Sequence, residues 1–297
     1  MKIFDNFQNI VLSWNKLTTL PESIGQLTNL QELDLYHNPL TTLPESIGQL
    51  TNLQTLNIDW GKISYLPDAP VWTKITTLDL QSHNIKKLPQ GFEKLTNLQT
   101  LDLSDNQLTT LPESIGQLTN LQELDLYLNQ LTTLPESITK LTKLQWLDLL
   151  HNKLTTLPES IAKLTNLQKL NLYYNQLTTL PESIGQLTNL QTLNIDWGKI
   201  SYLPDAPVWT KITTLDLQSH NIEKLPQGFE KLTNLQKLDL NSNKLTTLPK
   251  SITKLTNLQR LDLTNNPALA PYDKDLQGEA LRTFLQKHAK GEIKFGQ

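Results

Sequence analysis

Aspartate recurs at one fixed position of this sequence, and a row of carboxylates could bind cations or steer a charged partner. The position lies between two leucines of a repeated segment. It holds aspartate eight times, at Asp34, Asp79, Asp102, Asp125, Asp148, Asp216, Asp239 and Asp262. If successive copies form neighbouring strands, the carboxylates lie about 4.8 Å apart and repel one another. Two interpretations stay open, namely local hydrogen bonds that shape each turn, or an acidic row that attracts a basic partner.

Large aromatic and imidazole side chains stand beside that row, in the two positions after the paired leucines and in one position before them. They are Trp14, Tyr36, His37, Trp60, Tyr127, His151, Trp146, Tyr173, Tyr174 and Trp197. Their positions in the repeat predict that they point out of the strands toward a concave surface, where they cannot be buried in the core. Exposed tryptophan and tyrosine dominate interface hot spots. We therefore predict that these residues and the aspartates form a partner-binding surface.

Signatures of enzymes are missing from the sequence. There is no Gly-x-x-x-x-Gly-Lys-Ser/Thr, Gly-x-Gly-x-x-Gly, His-Glu-x-x-His or Gly-x-Ser-x-Gly segment. Cysteine is absent, and the five histidines fall in different repeats or in the tail, so we expect no metal site and no cofactor. The formal net charge of −3 gives no basic footprint for nucleic acid. No apolar run is long enough to span a membrane. The sequence predicts a non-enzyme with a protein partner.

A repeat of about 23 residues must position these side chains. Leucine supplies 63 of the 297 residues. Residues 17–38 read LTTLPESIGQLTNLQELDLYHN, and near copies follow along the chain. The slot of Asn38 recurs at Asn15, Asn38, Gly61, His83, Asn106, Asn129, Asn152, Asn175, Gly198, His220, Asn243 and Asn266. No single copy can bury its leucines alone, so the copies must stack into one elongated domain over residues 1–269.

Each copy predicts a short strand followed by a tight return. Leu33 and Leu35 alternate with polar residues, which favours a strand with one buried face. Pro44 blocks continuation of the strand. Ile47 and Leu50 are spaced by three, as in a 3₁₀ turn. We therefore predict about twelve parallel strands on a concave face, with short 3₁₀ turns on the convex face.

The asparagine slot predicts a ladder of side-chain amides, which bond backbone groups of neighbouring repeats where the chain turns. Four copies lack the asparagine, at Gly61, His83, Gly198 and His220, and the units from Gly61 to His83 and from Gly198 to His220 are each one residue short. Losing a buried amide should cost about 1–3 kcal/mol unless water or backbone substitutes. We expect Trp72 and Trp209 to fill the shortened turns. Residues 40–99 and 177–236 differ at one position only, so the two irregular units reflect a duplication or two equivalent binding patches.

The two ends of the array differ. The chain starts halfway through a repeat, so the first core layer is thinly covered and could pair with a second copy in a homodimer. Residues 270–297 predict a C-terminal cap helix, because apolar residues follow Leu276 at helical spacing. Asp275 is expected to cap the start of this helix and Gly291 to end it.

The pattern L-x-x-L-x-L-x-x-N-x-L resembles that of the leucine-rich repeat family. The form LPxxIxxLxxLQxLxLxxN is similar to bacterial leucine-rich repeat proteins of the kind abundant in spirochaetes, and to repeats of plant and animal Ras-binding scaffolds. The tail NNPALAPYDKDLQGEALRTFLQKHAKG resembles the segment that joins leucine-rich repeats to the GTPase module of Roco proteins. The resemblance implies an α/β solenoid shaped as a horseshoe, acting as a binding scaffold.

Three functions follow from the resemblance. The first is a protein–protein interaction scaffold that docks its partner along the concave face, without catalysis. The second is the regulatory portion of a larger Roco-type signalling GTPase. The third is a secreted or surface factor that contacts a host. The sequence begins without a secretory signal, so we expect a cytoplasmic protein, with export by a signal-independent route as the alternative.

Overall fold

The repeats contribute twelve short strands to the computed structural model, which describes residues 7–58 and 70–293. Each strand is short because only the Leu-x-Leu core of a repeat alternates between buried and exposed positions. The strands are β1 (Asn9–Val11), β2 (Glu32–Leu35), β3 (Thr55–Ile58), β4 (Thr77–Asp79), β5 (Thr100–Asp102), β6 (Glu123–Asp125), β7 (Trp146–Asp148), β8 (Lys169–Asn171), β9 (Thr192–Asn194), β10 (Thr214–Asp216), β11 (Lys237–Asp239) and β12 (Arg260–Asp262). The predicted leucine-rich solenoid is confirmed.

The chain divides into two compact units, each with its own strands. The N-terminal unit comprises residues 1–154 and 163–172, and the C-terminal unit comprises residues 155–162 and 173–297. In the N-terminal unit β1 to β8 pair in chain order and in parallel, so Asp102, Asp125 and Asp148 lie in register. In the C-terminal unit β10, β11 and β12 also pair in chain order and in parallel, which places Asp216, Asp239 and Asp262 in register. Register therefore stacks each repeat position into a column.

Short 3₁₀ turns follow the strands, as the spacing of apolar residues predicts. An extended proline precedes many of them, for example Pro112 with φ −71° and ψ 152° before Glu113–Gln117. The turns are Glu22–Gln26, Glu45–Gln49, Pro70–Thr73, Phe92–Lys94, Glu113–Gln117, Glu136–Lys140, Glu159–Lys163, Glu182–Gln186, Pro207–Lys211, Phe229–Lys231, Lys250–Lys254 and Pro267–Leu269. The repeated glutamate also links successive turns, since a Glu113 carboxylate oxygen accepts the backbone N–H of Ser137 at 3.1 Å. Trp72 and Trp209 are buried in their turns, as predicted.

The asparagine ladder is present where the sequence predicts it. The Asn129 amide donates to the backbone carbonyls of Leu103, Leu126 and Tyr127, and its oxygen accepts the N–H of Leu108. A second row, which the sequence analysis missed, lies at the exposed end of the 3₁₀ turns. There an asparagine amide donates to a threonine carbonyl of the preceding repeat, at Asn52, Asn97, Asn120, Asn166, Asn234 and Asn257.

An antiparallel strand and a helix close the C-terminal unit. Helix α1 spans Gly278–Lys290, and Gly291 ends it in the left-handed region at φ 74°, as predicted. The prediction that Asp275 caps this helix is wrong. Asp275 lies in strand β13 (Asp275–Gln277), antiparallel to β12, and accepts a hydrogen bond from Nε of Arg260 at 3.1 Å. Among the helices that the structure describes, none has both the length and the apolar content to cross a bilayer.

At the other end, the predicted thin cover of the first core layer depends on residues 1–6, which lie outside the described residues. Phe7 is 48% exposed and Val11 is 66% exposed. A cavity of about 260 Å³ lies beside them, lined by Phe7, Ile10, Pro21, Ser23, Ile24, Gln26 and Leu27. Pairing of this end with a second copy of the chain stays a prediction.

Candidate partner-binding surface

Every aspartate of the row takes part in a local hydrogen bond. In each case Oδ1 accepts the backbone N–H two residues further on, at 2.8–3.1 Å. This bond holds the chain in the turn that leaves the strand. The residues are Asp34, Asp79, Asp102, Asp125, Asp148, Asp216, Asp239 and Asp262. The first interpretation of the row therefore holds, and the carboxylates still bring negative charge to the face.

Asp125 shows the electrostatic cost of burying a carboxylate within the row. Burial, followed by the charges of Asp102 and Asp148, raises its pKa from 3.8 to about 6, although the hydrogen bond from Tyr127 acts to lower it. Asp262 has a different outcome. Burial would raise its pKa, but hydrogen bonds from Thr264 and the neighbouring Arg260 lower it below the ordinary value. The middle of the row therefore lacks the cation that stabilises its C-terminal end.

Asp125→Asn should stabilise the protein at neutral pH. Because folding raises the pKa of Asp125, the protonated side chain contributes to the stability of the folded state. That contribution to the free energy of unfolding is complete below pH 3.8 and is lost as the pH rises to about 6. Asparagine keeps the oxygen that accepts the Tyr127 N–H, and Asn171 already occupies this column on β8. We expect the free energy of unfolding to rise by about 2 kcal/mol at pH 7.5, and not at pH 3.5.

Urea titrations at the two pH values measure this difference, with Asp79→Asn on an exposed member of the row as the matched control. An equal gain in both variants, or a gain that persists at pH 3.5, would show that the raised pKa of Asp125 is not its source.

An aromatic cluster marks the first part of the N-terminal unit. Trp14 is 75% exposed, and its ring centroid lies 3.9 Å from that of His37. The Tyr36 ring lies 4.0 Å from His37 and 5.5 Å from His83. The structure thus brings together three of the predicted residues, Trp14, Tyr36 and His37. The predicted residue Trp60 lies outside the described residues.

A second group lies on β6 and β7 and the turns after them. Trp146 is 36% exposed and Leu128 is 39% exposed, and His151 is also exposed. Tyr127 is half-buried, with its ring 6.0 Å from that of His151 in an edge-to-face arrangement. Three of these four were predicted as site residues from the frame, and the register of β6 and β7 explains why they meet.

In the C-terminal unit, Tyr173 and Tyr174 form a third group. Their ring centroids are 4.3 Å apart, and that of His220 lies 5.1 Å from Tyr173. Burial and the neighbouring Tyr174 raise the pKa of Tyr173 above its usual range. These rings and Lys199 border a cavity of about 250 Å³ beside the Gly198 position, where the ladder lacks an asparagine.

Two charged side chains bond the backbone beside the Gly198 position, where the ladder lacks an amide. The Asp196 carboxylate accepts the backbone N–H groups of Tyr174 and Asn175, at 3.1 and 2.7 Å. Lys199 donates to the carbonyl of Asn175 at 2.5 Å and pairs with Asp196 at 3.6 Å. The Lys–Asp pair therefore bonds the backbone of the preceding repeat beside the interruption of the ladder, and the sequence analysis missed it.

Trp197 does not belong to the surface, and the prediction that it points outward is wrong. It is 3% exposed and packs against Trp209 and Phe229, with ring centroids 6.1 and 5.7 Å away. The chain turns at this point through Asp196–Lys199, where the Lys199 N–H donates to the Asp196 carbonyl at 2.9 Å. The shortened repeat therefore has a different turn, and Trp197 joins the core.

Known protein families and solved structures match this chain along its repeats. A family model described as a leucine-rich repeat region matches residues 72–152 and 136–216, and one described as a leucine rich repeat matches residues 5–63 and 210–267. A leucine-rich repeat protein of Leptospira interrogans is 36% identical, over 96% of this chain and 72% of that chain, with a TM-score of 0.61. The chain belongs to the leucine-rich repeat family.

Other solved structures share less of their length with this leucine-rich repeat protein. The functional domain of InlJ from Listeria monocytogenes is 27% identical over 86% of this chain and 57% of that one, with a TM-score of 0.58. TLR13 in its complex with ssRNA13 is 28% identical over 85% of this chain and 42% of that one, with a TM-score of 0.62. No curated protein matches the sequence significantly.

One backbone feature of this leucine-rich repeat protein singles out its surface residues. The residue before the ladder position adopts a left-handed conformation in most repeats, and small polar residues tolerate that conformation best. Five repeats instead place a large residue there, with φ between 53° and 59°, at Trp14, His37, Leu128, His151 and Tyr174. Backbone strain held at exposed positions is a feature of functional surfaces.

Proposed function

We propose that this leucine-rich repeat protein is a scaffold that binds a protein partner through the exposed face of its strands, without catalysis. The observation that carries the proposal is the distribution of exposed large apolar residues. Among the described residues, Phe7, Val11, Trp14, Leu128, Trp146 and Tyr174 are exposed. Five of these, Val11, Trp14, Leu128, Trp146 and Tyr174, lie on the strands or on the turns directly after them, which is where an interface needs its anchors.

The polar groups of the face support binding more than reaction chemistry. One carboxylate oxygen of each row aspartate accepts a hydrogen bond from the backbone of its own turn, as described above. Within residues 7–58 and 70–293, no group of three or more acidic residues and histidines is placed to hold a metal ion. A negatively charged face also opposes phosphate backbones, so the RNA in the TLR13 complex is a poor guide to the ligand of this chain.

Site-specific photo-crosslinking tests the proposal directly. We would place benzoyl-phenylalanine at Thr100 or Glu123 on the strand face, and at Gln26 or Gln117 on the opposite, exposed 3₁₀ side. In cells that produce the protein, we expect the two strand-face positions to give a shared crosslinked protein partner. The 3₁₀ positions, which are the matched controls, should not give it. Crosslinks only from the control positions, or from none of the four, would contradict the proposal.

A further inference from the structure

The exposed face at β6 and β7 combines apolar side chains with acidic ones. We define the β6–β7 patch by its larger residues, Tyr127, Leu128, Trp146, Leu150 and His151. Trp146 lies on β7 itself, and the others lie on the turns that follow β6 and β7. All five are inside the N-terminal unit. The patch therefore offers several apolar anchors within two neighbouring repeats.

Acidic residues surround the patch on β5, β6 and β7. Asp102, Asp125 and Asp148 lie in register across these strands, and Glu123 lies in register with Trp146. Asp105 is exposed on the turn after β5. The strand cation Lys169 follows on β8, in register with Trp146. These carboxylates outnumber the cation and make the field over the patch negative, and Asp102 and Asp148 add to the effect of burial in raising the pKa of Asp125.

At Leu128 the backbone carries a strain that other residue types at the same slot avoid. Leu128 and His151 are left-handed, at φ 53° and 55°. Leucine is unfavourable in this conformation, whereas asparagine and aspartate tolerate it. The same slot holds Ser82, Asp105 and Asn265 in other repeats, with the same backbone. A leucine 39% exposed gains little burial to offset that strain.

Resting on the proposed function, we propose that the β6–β7 patch docks a basic protein segment that carries large apolar side chains. The apolar side chains of the segment cover Leu128 and Trp146. Its lysine or arginine residues pair with the carboxylates on β5 and β6, and relieve the repulsion around Asp125. A cationic segment is complementary to this field, and an acidic segment or a nucleic acid is opposed by it.

A displayed library of random peptides about 12 residues long tests the chemistry of the partner without knowing its identity. The full chain is the bait. The library is first passed over a Leu128→Asn/Trp146→Thr variant, which retains and so removes the peptides that bind outside the patch. Both substitutions copy residues found at the same slots, Asn265 and Thr100, so the variant should fold. We expect the enriched peptides to be net positive and to carry at least two large apolar residues. Enrichment of acidic or uncharged peptides, or no enrichment, would overturn the proposal.

Fluorescence anisotropy on synthetic copies of the enriched peptides gives the second readout. The double variant should weaken binding at least about tenfold, or about 1.4 kcal/mol. Tyr174→Asn makes the same kind of change in the C-terminal unit and should change the Kd less than about twofold. Raising NaCl from about 50 to about 300 mM should weaken binding several-fold. Equal losses in both variants would overturn the assignment to this patch.

The melting temperature of Leu128→Asn separates docking from folding. We expect it to equal or exceed that of the wild type, because asparagine fits the left-handed backbone. A lower melting temperature would mean that the leucine serves the fold, which overturns the inference. Photo-crosslinks from the strand face to a partner without a basic apolar segment would overturn this inference and leave the proposed function standing.

Discussion

Replacing Asn129 with alanine should lower the free energy of unfolding by about 3 kcal/mol. The side chain is 6% exposed, and its oxygen accepts the N–H of Leu108 at 3.0 Å. Its amide donates to the carbonyls of Leu103 at 2.9 Å, Leu126 at 3.2 Å and Tyr127 at 3.3 Å. Alanine leaves this buried backbone unsatisfied, because no strand ladder reaches it.

The exposed asparagine row supplies the control for this measurement. Asn120 donates to the carbonyl of Thr96 at 2.9 Å, but it lies where water can replace it. Asn120→Ala should therefore cost less than about 1 kcal/mol. Urea unfolding followed by circular dichroism gives both values. Equal losses in the two variants would show that the buried ladder is not a main source of stability, contrary to our expectation.

The ladder could be predicted from the sequence because one physical requirement recurs in every repeat. A turn that leaves the sheet exposes backbone groups to the core, and an amide side chain both donates to and accepts from them. Asn106, Asn129, Asn152, Asn243 and Asn266 all show this bonding. Strand position, 3₁₀ turns and the outward direction of the row aspartates follow from the same periodicity.

Departures from the repeat could not be predicted in this way. The frame treats Gly198 as a lost amide and does not show that the Asp196 carboxylate and the Lys199 ammonium bond the neighbouring backbone of residues 174–175. Their role depends on where the backbone of a non-standard turn places them. The regular repeats do not have this turn, so their pattern does not predict the role. The repeat pattern also did not predict that Asp275 lies in a strand, because the antiparallel strand after the last repeat does not share the sequence pattern of the parallel strands.

The candidate surface was predicted in part for the same reason. Frame position gave the exposed residues correctly at Trp14, Trp146, His151 and Tyr174, which belong to regular repeats. It failed at Trp197, in the irregular unit. Frame position also did not show which large residues adopt a left-handed backbone. That feature, which underlies the inference for the β6–β7 patch, appears only in the structure.

Trp197→Ala should lower the free energy of unfolding by about 3–5 kcal/mol. The indole is 3% exposed and lies edge-to-face against Trp209 and Phe229, each itself buried. Truncation opens a cavity among large rings that cannot shift easily, because Nε1 of Trp209 is fixed by its hydrogen bond to the Pro204 carbonyl at 2.7 Å. Thermal unfolding followed by tryptophan fluorescence and circular dichroism measures the loss.

Tyr174→Ala is the matched control, since it removes an aromatic ring that directly precedes a ladder residue but is 51% exposed. We expect a change below about 1 kcal/mol there, because little buried area is lost and alanine inherits a similar backbone strain. If instead Trp197→Ala left stability unchanged and reduced partner binding, Trp197 would belong to the surface after all. The two irregular units would then be equivalent binding patches, and the frame of the regular repeats would extend through them.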